Sequence, residues 1–381
     1  MSVEAFDLHL LTRMVSGEGA IERLGDLVRE LGGRKVLVVS DPGIVAAGHT
    51  RRGIAALESA SLEAVLFDGV EENPTTLHVV AGVEVARANG IDSIVGLGGG
   101  SSMDCAKGIN FVLSCGGEMK DYWGIGKATR PLLPAVAVPT TAGTGSEMQS
   151  FALIADETTH QKMACGDKNA AFRVAVLDPD VTISQPRLVT AATGIDAIAH
   201  AVETFVTRKR NTVSRALSLA AWRLLEANFE TVLDEPSNVE ARASMQLGAA
   251  LAGSAIEFSM LGAAHAAANP LTARFGVVHG GAVGLMLPHV VRFNGEAMAR
   301  DYEDLARVAR GCSSVSVEGL IERLRQLLEV SGLGSSLGRW KVEEARLPKL
   351  AEEAAQQWTS QYNPRDVGED DFIELYRAAF F

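Results

Sequence analysis

The sequence predicts an α/β N-terminal domain built on a parallel sheet, followed by an all-α C-terminal domain. Five apolar runs in the first half, several separated by helical patterns, are rich in β-branched residues: Val36–Val39, Ala64–Phe67, Ser93–Leu97, Ala135–Val138 and Val174–Leu177. Wholly apolar strands alternating with helices are typical of a parallel sheet covered on both faces. Helical patterns then replace β runs, which divides the chain into residues 1–185 and 186–381. We expect the active site in the cleft between the domains.

Composition and charge limit the functional classes. The residues are 47% hydrophobic and 22% charged, a composition too apolar for a disordered chain. The length of 381 residues is enough for two domains, each with its own core. The 35 basic and 47 acidic residues give a net charge of −12, which argues against a dominant role in nucleic-acid binding. The four cysteines form no CxxC pair, so neither a disulfide framework nor a thiolate zinc site is indicated.

Two segments bear on the compartment. The N-terminal residues MSVEAFDLHLL lack the basic and apolar regions of a signal peptide, so we expect a cytoplasmic protein. Residues 247–269 are long and apolar enough to suggest a membrane span, but Glu257 and His265 interrupt the run, and Ala and Gly dominate it. We interpret this stretch as one buried helix in a tightly packed bundle.

A glycine-rich loop, GLGGGSS over residues 96–102, follows the predicted strand Ser93–Leu97 and leads into a helical stretch. Glycine lets the backbone approach a ligand closely, and free N–H groups at a helix start favour an anion such as pyrophosphate. The alternative is a tight strand-to-helix turn with no ligand. A strict GxGxxG is absent because position 101 is Ser, and no acidic residue ends a strand about 20 residues later.

Two further features suit a nucleotide. Asp41 follows VLVVS and could accept a hydrogen bond from an adenosine ribose 2′-hydroxyl, which would favour NAD over NADP. An N-cap with Pro42 at the first helical position explains Asp41 equally well, and the two roles are compatible. The cluster PTTAGTGSE over residues 139–147 follows AVAV and offers hydroxyls and glycines to a phosphate or a nicotinamide ribose, although it could be a plain loop.

Asp196 and His200 are four residues apart in a predicted helix that begins at Thr193. They therefore share one helix face, with Cβ atoms about 5–6 Å apart, which suits chelation of a divalent ion. The alternative is a helix start in which Thr193 and Asp196 form a capping-box-like pair.

His265 and His279 extend this candidate site. On one continuous helix they would lie about 21 Å apart, but Pro270 and Gly276 predict a break that lets the second His fold back beside the first. A carboxylate with three imidazoles suits Fe(II) or Zn(II) and does not suit Ca(II) or Mg(II). Histidines satisfied within the core are the alternative.

Four motifs in this order, covering nearly the whole chain, resemble the iron-containing (group III) alcohol dehydrogenase family: GGGSSMDCAK, PTTAGTGSE, GIDAIAHAVE and HAAANPLTARFGVVHG. The resemblance implies a Rossmann-like N-terminal domain and a metal held by Asp196, His200, His265 and His279. It also implies a set of cofactor contacts, with the acid at position 41 going with NAD preference: Asp41, Gly98, Gly99, Gly100, Ser101, Asp104, Thr140, Thr141, Thr144 and Lys162.

The chain departs from the family at Asn269, where many members carry a second His near the nicotinamide. Asn forms hydrogen bonds but does not titrate near neutral pH. The proton of the alcohol therefore leaves through water and ribose hydroxyls, or another side chain takes the place of that His in the proton path. The resemblance also implies a homodimer or larger homo-oligomer, joined partly through the N-terminal strand around Phe6–Met14.

The predicted activity is reversible hydride transfer between a small alcohol and NAD, with a metal polarising the substrate oxygen. NADP and Zn(II) are the less favoured cofactor choices beside NAD and Fe(II). One alternative with the same fold is a maleylacetate-type reductase, which needs basic residues near the ligands, where Arg274 is nearest in sequence. A second is a hydroxyacid-oxoacid transhydrogenase with tightly held cofactor. The non-enzymatic alternative is a nucleotide- or metal-binding protein, against which the intact ligand set argues.

Overall fold

The computed structural model describes residues 6, 8–159, 161–334 and 336–380. The chain divides into two compact units. The first, an α/β unit, comprises His9–Thr141 and Gly145–Gln185. The second, a helical unit, comprises Ala142–Thr144 with the described parts of residues 1–8 and 186–381.

The α/β unit contains nine strands: β1 (Arg13–Ser16), β2 (Lys35–Val39), β3 (Glu63–Phe67), β4 (Ser93–Gly98), β5 (Gly124–Ile125), β6 (Ala135–Pro139), β7 (Phe151–Ala155), β8 (Lys162–Gly166) and β9 (Val174–Leu177). Six of them form one sheet in the order β1-β9-β6-β4-β2-β3, with every neighbouring pair parallel. The five predicted strands and their parallel arrangement are confirmed.

The sequence analysis missed three strands and misplaced a fourth. The N-terminal strand expected around Phe6–Met14 is β1, which begins only at Arg13, is short and half polar, and pairs with β9 at one edge of the large sheet. The others form a small sheet in the order β5-β8-β7, in which β7 and β8 are antiparallel. The sequences FALIA and KMACG contain one β-branched residue between them, so they carry little strand signal of their own.

Five helices cover the large sheet: α1 (Leu24–Glu30), α2 (Pro42–Ala46), α3 (His49–Ser59), α4 (Thr76–Asn89) and α5 (Gly100–Cys115). Alternate strand residues such as Val95 and Leu97 join α1 and α3 in one buried cluster. Gly96, between them, faces Ala106 and Met103 of α5. Because successive strand residues point to opposite faces, the sheet is covered on both sides, as predicted.

The described part of the helical unit contains eight α-helices: α6 (Arg187–Val206), α7 (Thr212–Asp234), α8 (Val239–Ser259), α9 (Ala263–Phe275), α10 (His279–Val308), α11 (Val317–Ser331), α12 (Leu347–Ala355) and α13 (Glu369–Ala378). Helix α6 packs against α7, α8, α10 and α11. Its buried positions include five alanines and a glycine, and such small side chains let several neighbouring helices approach its backbone. The prediction of an all-α second half is confirmed.

One prediction about these helices is wrong. Residues 247–269 form two helices rather than one, because the chain bends by 106° between α8 and α9 around Met260, which has φ +64°. The break expected between His265 and His279 is confirmed at Gly276, which ends α9 with φ +62°, whereas Pro270 lies inside α9. A single proline removes one backbone hydrogen bond, whereas a left-handed glycine redirects the chain. Within the described residues no single helix is long and apolar enough to cross a membrane.

Candidate metal and nucleotide sites

Asp196 and His200 lie in the middle of α6, on the face buried in the helical unit. Their side chains are 8% and 5% exposed, and His200 Nε2 lies 3.4 Å from Asp196 Oδ1. Helix α6 begins at Arg187, six residues before the predicted start, and Thr193 Oγ1 donates to the Val189 carbonyl 2.8 Å away. The capping-box interpretation of Thr193 and Asp196 is therefore wrong, since both residues lie inside the helix.

Two further imidazoles converge on the same carboxylate oxygen. His265 Nε2, on α9, lies 3.3 Å from Asp196 Oδ1, and His279 Nε2, at the start of α10, lies 3.7 Å from it. The donor atoms of Asp196, His265 and His279 lie within 4.8 Å of one another. The His200 and His265 ring centroids are 4.8 Å apart. The turn after Gly276 therefore brings His279 back beside His265.

Close backbone contacts place these helices. A Cβ on Gly280, next to His279, would overlap the Ala192 carbonyl of α6. A Cβ on Gly143 would overlap the side chain and backbone of Thr193. Glycine at these two positions lets α10 and the 142–144 segment approach α6 near Asp196.

The charges of the cluster suit a cation. Burial alone would raise the pKa of Asp196, but His200, His265 and His279 together lower it below the usual range. Burial lowers the pKa of His200 to about 4, and Asp196 offsets this only in part. For His265, burial lowers the pKa, but Glu203 and Asp196 outweigh burial and raise it to about 9. An ionised carboxylate among imidazoles is a donor set that fits a first-row divalent metal.

The predicted nucleotide residues follow three neighbouring strands, β2, β4 and β6. Ser102 Oγ donates to Asp41 Oδ2 at 3.2 Å, which links the ends of β2 and β4. The Thr140 N–H donates to the Gly98 carbonyl at 2.9 Å, which links β4 and β6. Asp41 Oδ1 also accepts from the Ile44 N–H at 3.1 Å, so the N-cap interpretation is confirmed. Ligands of parallel sheets bind at this edge.

The loop after β4 has open backbone and unsatisfied neighbours. Gly99 is the N-cap of α5, and Gly100 and Ser101 form its first turn, where backbone N–H groups favour an anion. A Cβ on Gly99 would lie 3.3 Å from Thr141 Cγ2. The Thr140 and Thr141 hydroxyls are buried, and neither has a hydrogen-bond partner among the described residues. These buried hydroxyls fit a ligand that supplies the missing partners.

Asp104 lies deeper than the glycine loop. It accepts a hydrogen bond from Ser146 Oγ at 2.5 Å, and Lys107 Nζ is 3.8 Å away. Burial raises the pKa of Asp104 against the opposing charge of Lys107. Lys162 begins β8 and is exposed, with Nζ 3.3 Å from Asn73 Oδ1.

Two predicted residues belong to the helical unit. Thr144 lies in the 142–144 segment, which groups with this unit. Asn269 lies on α9 one turn after His265, and its Nδ2 donates to Gln357 Oε1 at 3.0 Å. Residues four apart share a helix face, so Asn269 flanks the histidine cluster.

The sequence analysis missed three buried ionisable residues beside these sites. Glu203 is seven residues after Asp196, so the i, i+4, i+7 spacing of Asp196, His200 and Glu203 was an available signal. Lys107 is three residues after Asp104, and its Nζ donates to the Ser146 and Phe151 carbonyls. Glu147 ends the second motif and carried no spacing signal.

Glu147 makes stability depend on pH. The side chain is buried, and burial raises its pKa from 4.5 to about 7, although Lys107 opposes this. The folded protein therefore retains a proton that the unfolded chain releases, so the stabilisation is complete below pH 4.5 and is lost as pH rises through 7. We expect this group to lower the unfolding free energy by about 3 kcal/mol between pH 5 and pH 8.

Urea unfolding of Glu147→Gln at pH 5, 6, 7 and 8 measures this contribution. The variant should show a smaller pH dependence than the wild type over that interval, because glutamine does not titrate. Glu157→Gln, at an exposed position, is the matched control and should follow the wild type. Parallel pH profiles for the wild type and Glu147→Gln would contradict the prediction.

Comparisons with known proteins show the family of the chain. The profile described as "Iron-containing alcohol dehydrogenase" matches residues 12–179, and "Fe-containing alcohol dehydrogenase family, C-terminal" matches residues 190–380. The 1,3-propanediol dehydrogenase of Citrobacter freundii is 35% identical over 387 residues, covering 100% of both chains. The NAD-dependent methanol dehydrogenase of Bacillus methanolicus is 30% identical over 370 residues, covering 96% of this chain and 97% of that protein.

The fold agrees as well. The crystal structure of a 1,3-propanediol oxidoreductase superposes with a TM-score of 0.96 at 34% identity, covering 99% of this chain and 100% of that one. A metal, NAD(H) and a small alcohol or aldehyde go with this family. The chain is an oxidoreductase acting on alcohols and belongs to the iron-containing alcohol dehydrogenase family.

Proposed function

We propose that the chain interconverts a small primary or secondary alcohol and its carbonyl product with NAD, using one divalent metal held by Asp196, His200, His265 and His279. The observation that carries this proposal is the convergence of three imidazole Nε2 atoms within 3.3–3.7 Å of Asp196 Oδ1. Both Fe(II) and Zn(II) accept imidazole and carboxylate donors. Fe(II) is the first choice because the family is described as iron-containing, and Zn(II) is the second.

The residues of the candidate metal site would bind the metal and position the substrate. When bound, the metal supplies Lewis-acid chemistry toward a substrate oxygen, and the nicotinamide supplies hydride chemistry. Asp196, His200 and His265 would hold a cation from buried positions, and His279, whose side chain is 39% exposed, would complete the donor set. Asn269 can donate or accept a hydrogen bond there but cannot take up a proton near neutral pH. We assign it a positioning role, with the proton leaving through water and ribose hydroxyls.

On the nucleotide side, Gly98, Gly99, Gly100 and Ser101 provide the loop for a pyrophosphate. Further contacts come from residues around this loop: Asp41, Asp104, Thr140, Thr141, Thr144 and Lys162. The partnerless hydroxyls of Thr140 and Thr141 support this assignment most directly.

Asp41 should set the preference for NAD over NADP. A carboxylate repels the 2′-phosphate of NADP and can accept from the 2′-hydroxyl of NAD. Asp41→Asn removes the charge, but asparagine still caps α2. We expect the KM for NAD to rise about tenfold, with a smaller change in kcat, and the discrimination against NADP to fall.

Steady-state kinetics with both cofactors checks this prediction, with Asp26→Asn on the exposed face of α1 as the control. An unchanged ratio of kcat/KM for NAD and NADP would show that Asp41 is only a helix cap.

The maleylacetate-type alternative receives no support from Arg274. Its guanidinium is engaged with Glu353, with Nε 2.6 Å from Oε2. A substrate carboxylate would have to compete with this ion pair. The structure therefore offers no free cation at Arg274 for an acidic substrate.

The proposal is tested by NADH formation with a panel of small alcohols. Chelator-stripped protein is reloaded with Fe(II) or Zn(II), and His265→Ala is assayed in parallel. Metal-dependent turnover that the substitution abolishes supports the dehydrogenase and ranks its substrates. Tight NAD binding without turnover on either metal would contradict it and favour the non-catalytic alternative.

We also propose a homodimer or larger homo-oligomer in the cytoplasm. β1 is an edge strand, and edge strands can pair with another chain. Phe6 and Leu10, just before it, are exposed apolar residues, while Asp7 lies outside the described residues. The four cysteines are free, which agrees with a reducing compartment. Sedimentation equilibrium tests the assembly.

A further inference from the structure

Glu203 is a buried carboxylate that none of the assigned roles explains. It lies on α6, three residues after His200, and is 4% exposed. Within the described residues no Lys or Arg forms an ion pair with it, and the histidine His265 is the one ion-pair partner. A buried charge without a partner is costly, so this contact accounts for the presence of an acid at the position.

The Glu203 carboxylate holds both a side chain and a helix. Oε2 lies 2.5 Å from His265 Nδ1, and Oε1 accepts the Ala264 N–H at 2.7 Å, in the first turn of α9. Gly262 leaves the necessary room, because a Cβ there would lie 3.0 Å from Oε1. Glu203 therefore ties the start of α9 and the imidazole it carries to α6.

The His265 ring lies between two carboxylates. Nδ1 faces Glu203, while Nε2 faces Asp196 Oδ1 at 3.3 Å. An imidazole that donates its Nδ1 proton to a carboxylate presents the lone pair of Nε2 on its other side. The Glu203 contact favours a proton on Nδ1, and the two contacts together set the direction of the ring.

We propose that Glu203 is a positioning residue for the metal centre, which accepts the Nδ1 proton of His265 and so orients Nε2 toward the metal. This inference rests on the proposed metal site. Glu203 does not belong to the group of side chains whose donor atoms lie together at Asp196, and its two oxygens face His265 Nδ1 and the Ala264 N–H instead. The same contacts join the start of α9 to α6, so that His265 is held in position relative to Asp196 and His200.

The test uses full-length protein loaded with Zn(II). Glu203→Gln conserves shape but replaces one carboxylate oxygen by an NH2 group that only donates, so the contacts with the Ala264 N–H and with His265 Nδ1 cannot both be kept. We expect zinc affinity, measured by competition with a chromophoric chelator, to fall 10- to 100-fold, a change of about that size being typical for lost partners of ligating histidines. NMR of histidine-¹⁵N-labelled protein should show the hydrogen-bonded Nδ1 proton of His265 in the wild type and its loss in the variant.

Tyr376→Phe is the matched control, because Tyr376 donates to the Ala267 carbonyl of α9 at 2.7 Å without touching His265. It should lower the melting temperature but leave zinc affinity within about twofold, as expected for sites that do not couple. Equal loss of affinity in both variants would overturn the inference and show a merely structural tether.

The outcomes separate this inference from the proposed function. Wild-type zinc binding with unchanged affinity in Glu203→Gln would overturn the role of Glu203 alone. Failure of the wild-type protein to bind zinc or iron would overturn the metal site as well. If Glu203→Gln does not fold, the wild-type spectrum still decides, because a proton on His265 Nε2 in the loaded protein contradicts the proposed tautomer.

Discussion

Asp196→Asn should lower kcat/KM for alcohol oxidation about a thousandfold, which corresponds to about 4 kcal/mol of lost transition-state stabilisation. The substitution keeps the size of the side chain and removes its charge. Three imidazoles face the affected oxygen at 3.3–3.7 Å, so no other donor can replace it without moving a helix. The metal content of the purified variant, measured by plasma emission spectrometry, should fall in parallel with activity.

Asp304→Asn controls for the chemical change, since Asp304 is an exposed partner of Arg307 on α10. It should retain wild-type turnover and metal content. An Asp196→Asn protein that keeps both its metal and its turnover would show that the histidine cluster is a core feature rather than a metal centre.

Gly280→Ala should disrupt the same centre without changing any donor atom. A Cβ at this position would overlap the carbonyl oxygen and the carbonyl carbon of Ala192, which are backbone atoms of α6 and cannot rotate away. Helix α10 must therefore move off α6 and carry His279 away from Asp196. We expect a loss of about 2–3 kcal/mol in unfolding free energy from overpacking, with weaker metal binding.

Gly281→Ala is the matched control one residue further along α10. Its Cβ would meet Leu333 Cβ at 3.5 Å, an ordinary van der Waals contact, and alanine favours the helix. It should leave stability unchanged or slightly higher, with normal metal affinity. Guanidinium unfolding of the stripped and the loaded forms measures both effects, and equal behaviour of the two variants would contradict the packing argument.

Much of the α/β unit could be predicted because its signals are local. Runs such as Val36–Val39 are apolar throughout, and the glycine loop over residues 96–102 is directly adjacent to its strand. Strand β8, with its sequence KMACG, was missed because its β character comes from pairing with β7 rather than from its own residues. Pairing energy of that kind is tertiary, and a single sequence does not display it.

In the candidate metal site, too, some features follow from local sequence and others from tertiary packing. The spacing of Asp196 and His200 within one helix was visible, because i and i+4 residues always share a face. The start of that helix was misplaced by six residues, whereas the break before His279, expected from Pro270 and Gly276, does occur at Gly276. The error concerns where a helix begins, which depends on capping and packing more than on periodicity.

The sequence by itself determined the candidate donor residues, the glycine loop and the change from alternating strands and helices to helices alone. Only the tertiary structure decided that His265 and His279 meet Asp196, because their helices are brought together by the bend at Met260 and the contact of Gly280 with α6. It also decided the partner of Glu203. Spacing along a chain determines distances within one helix, whereas packing between helices determines distances across the core.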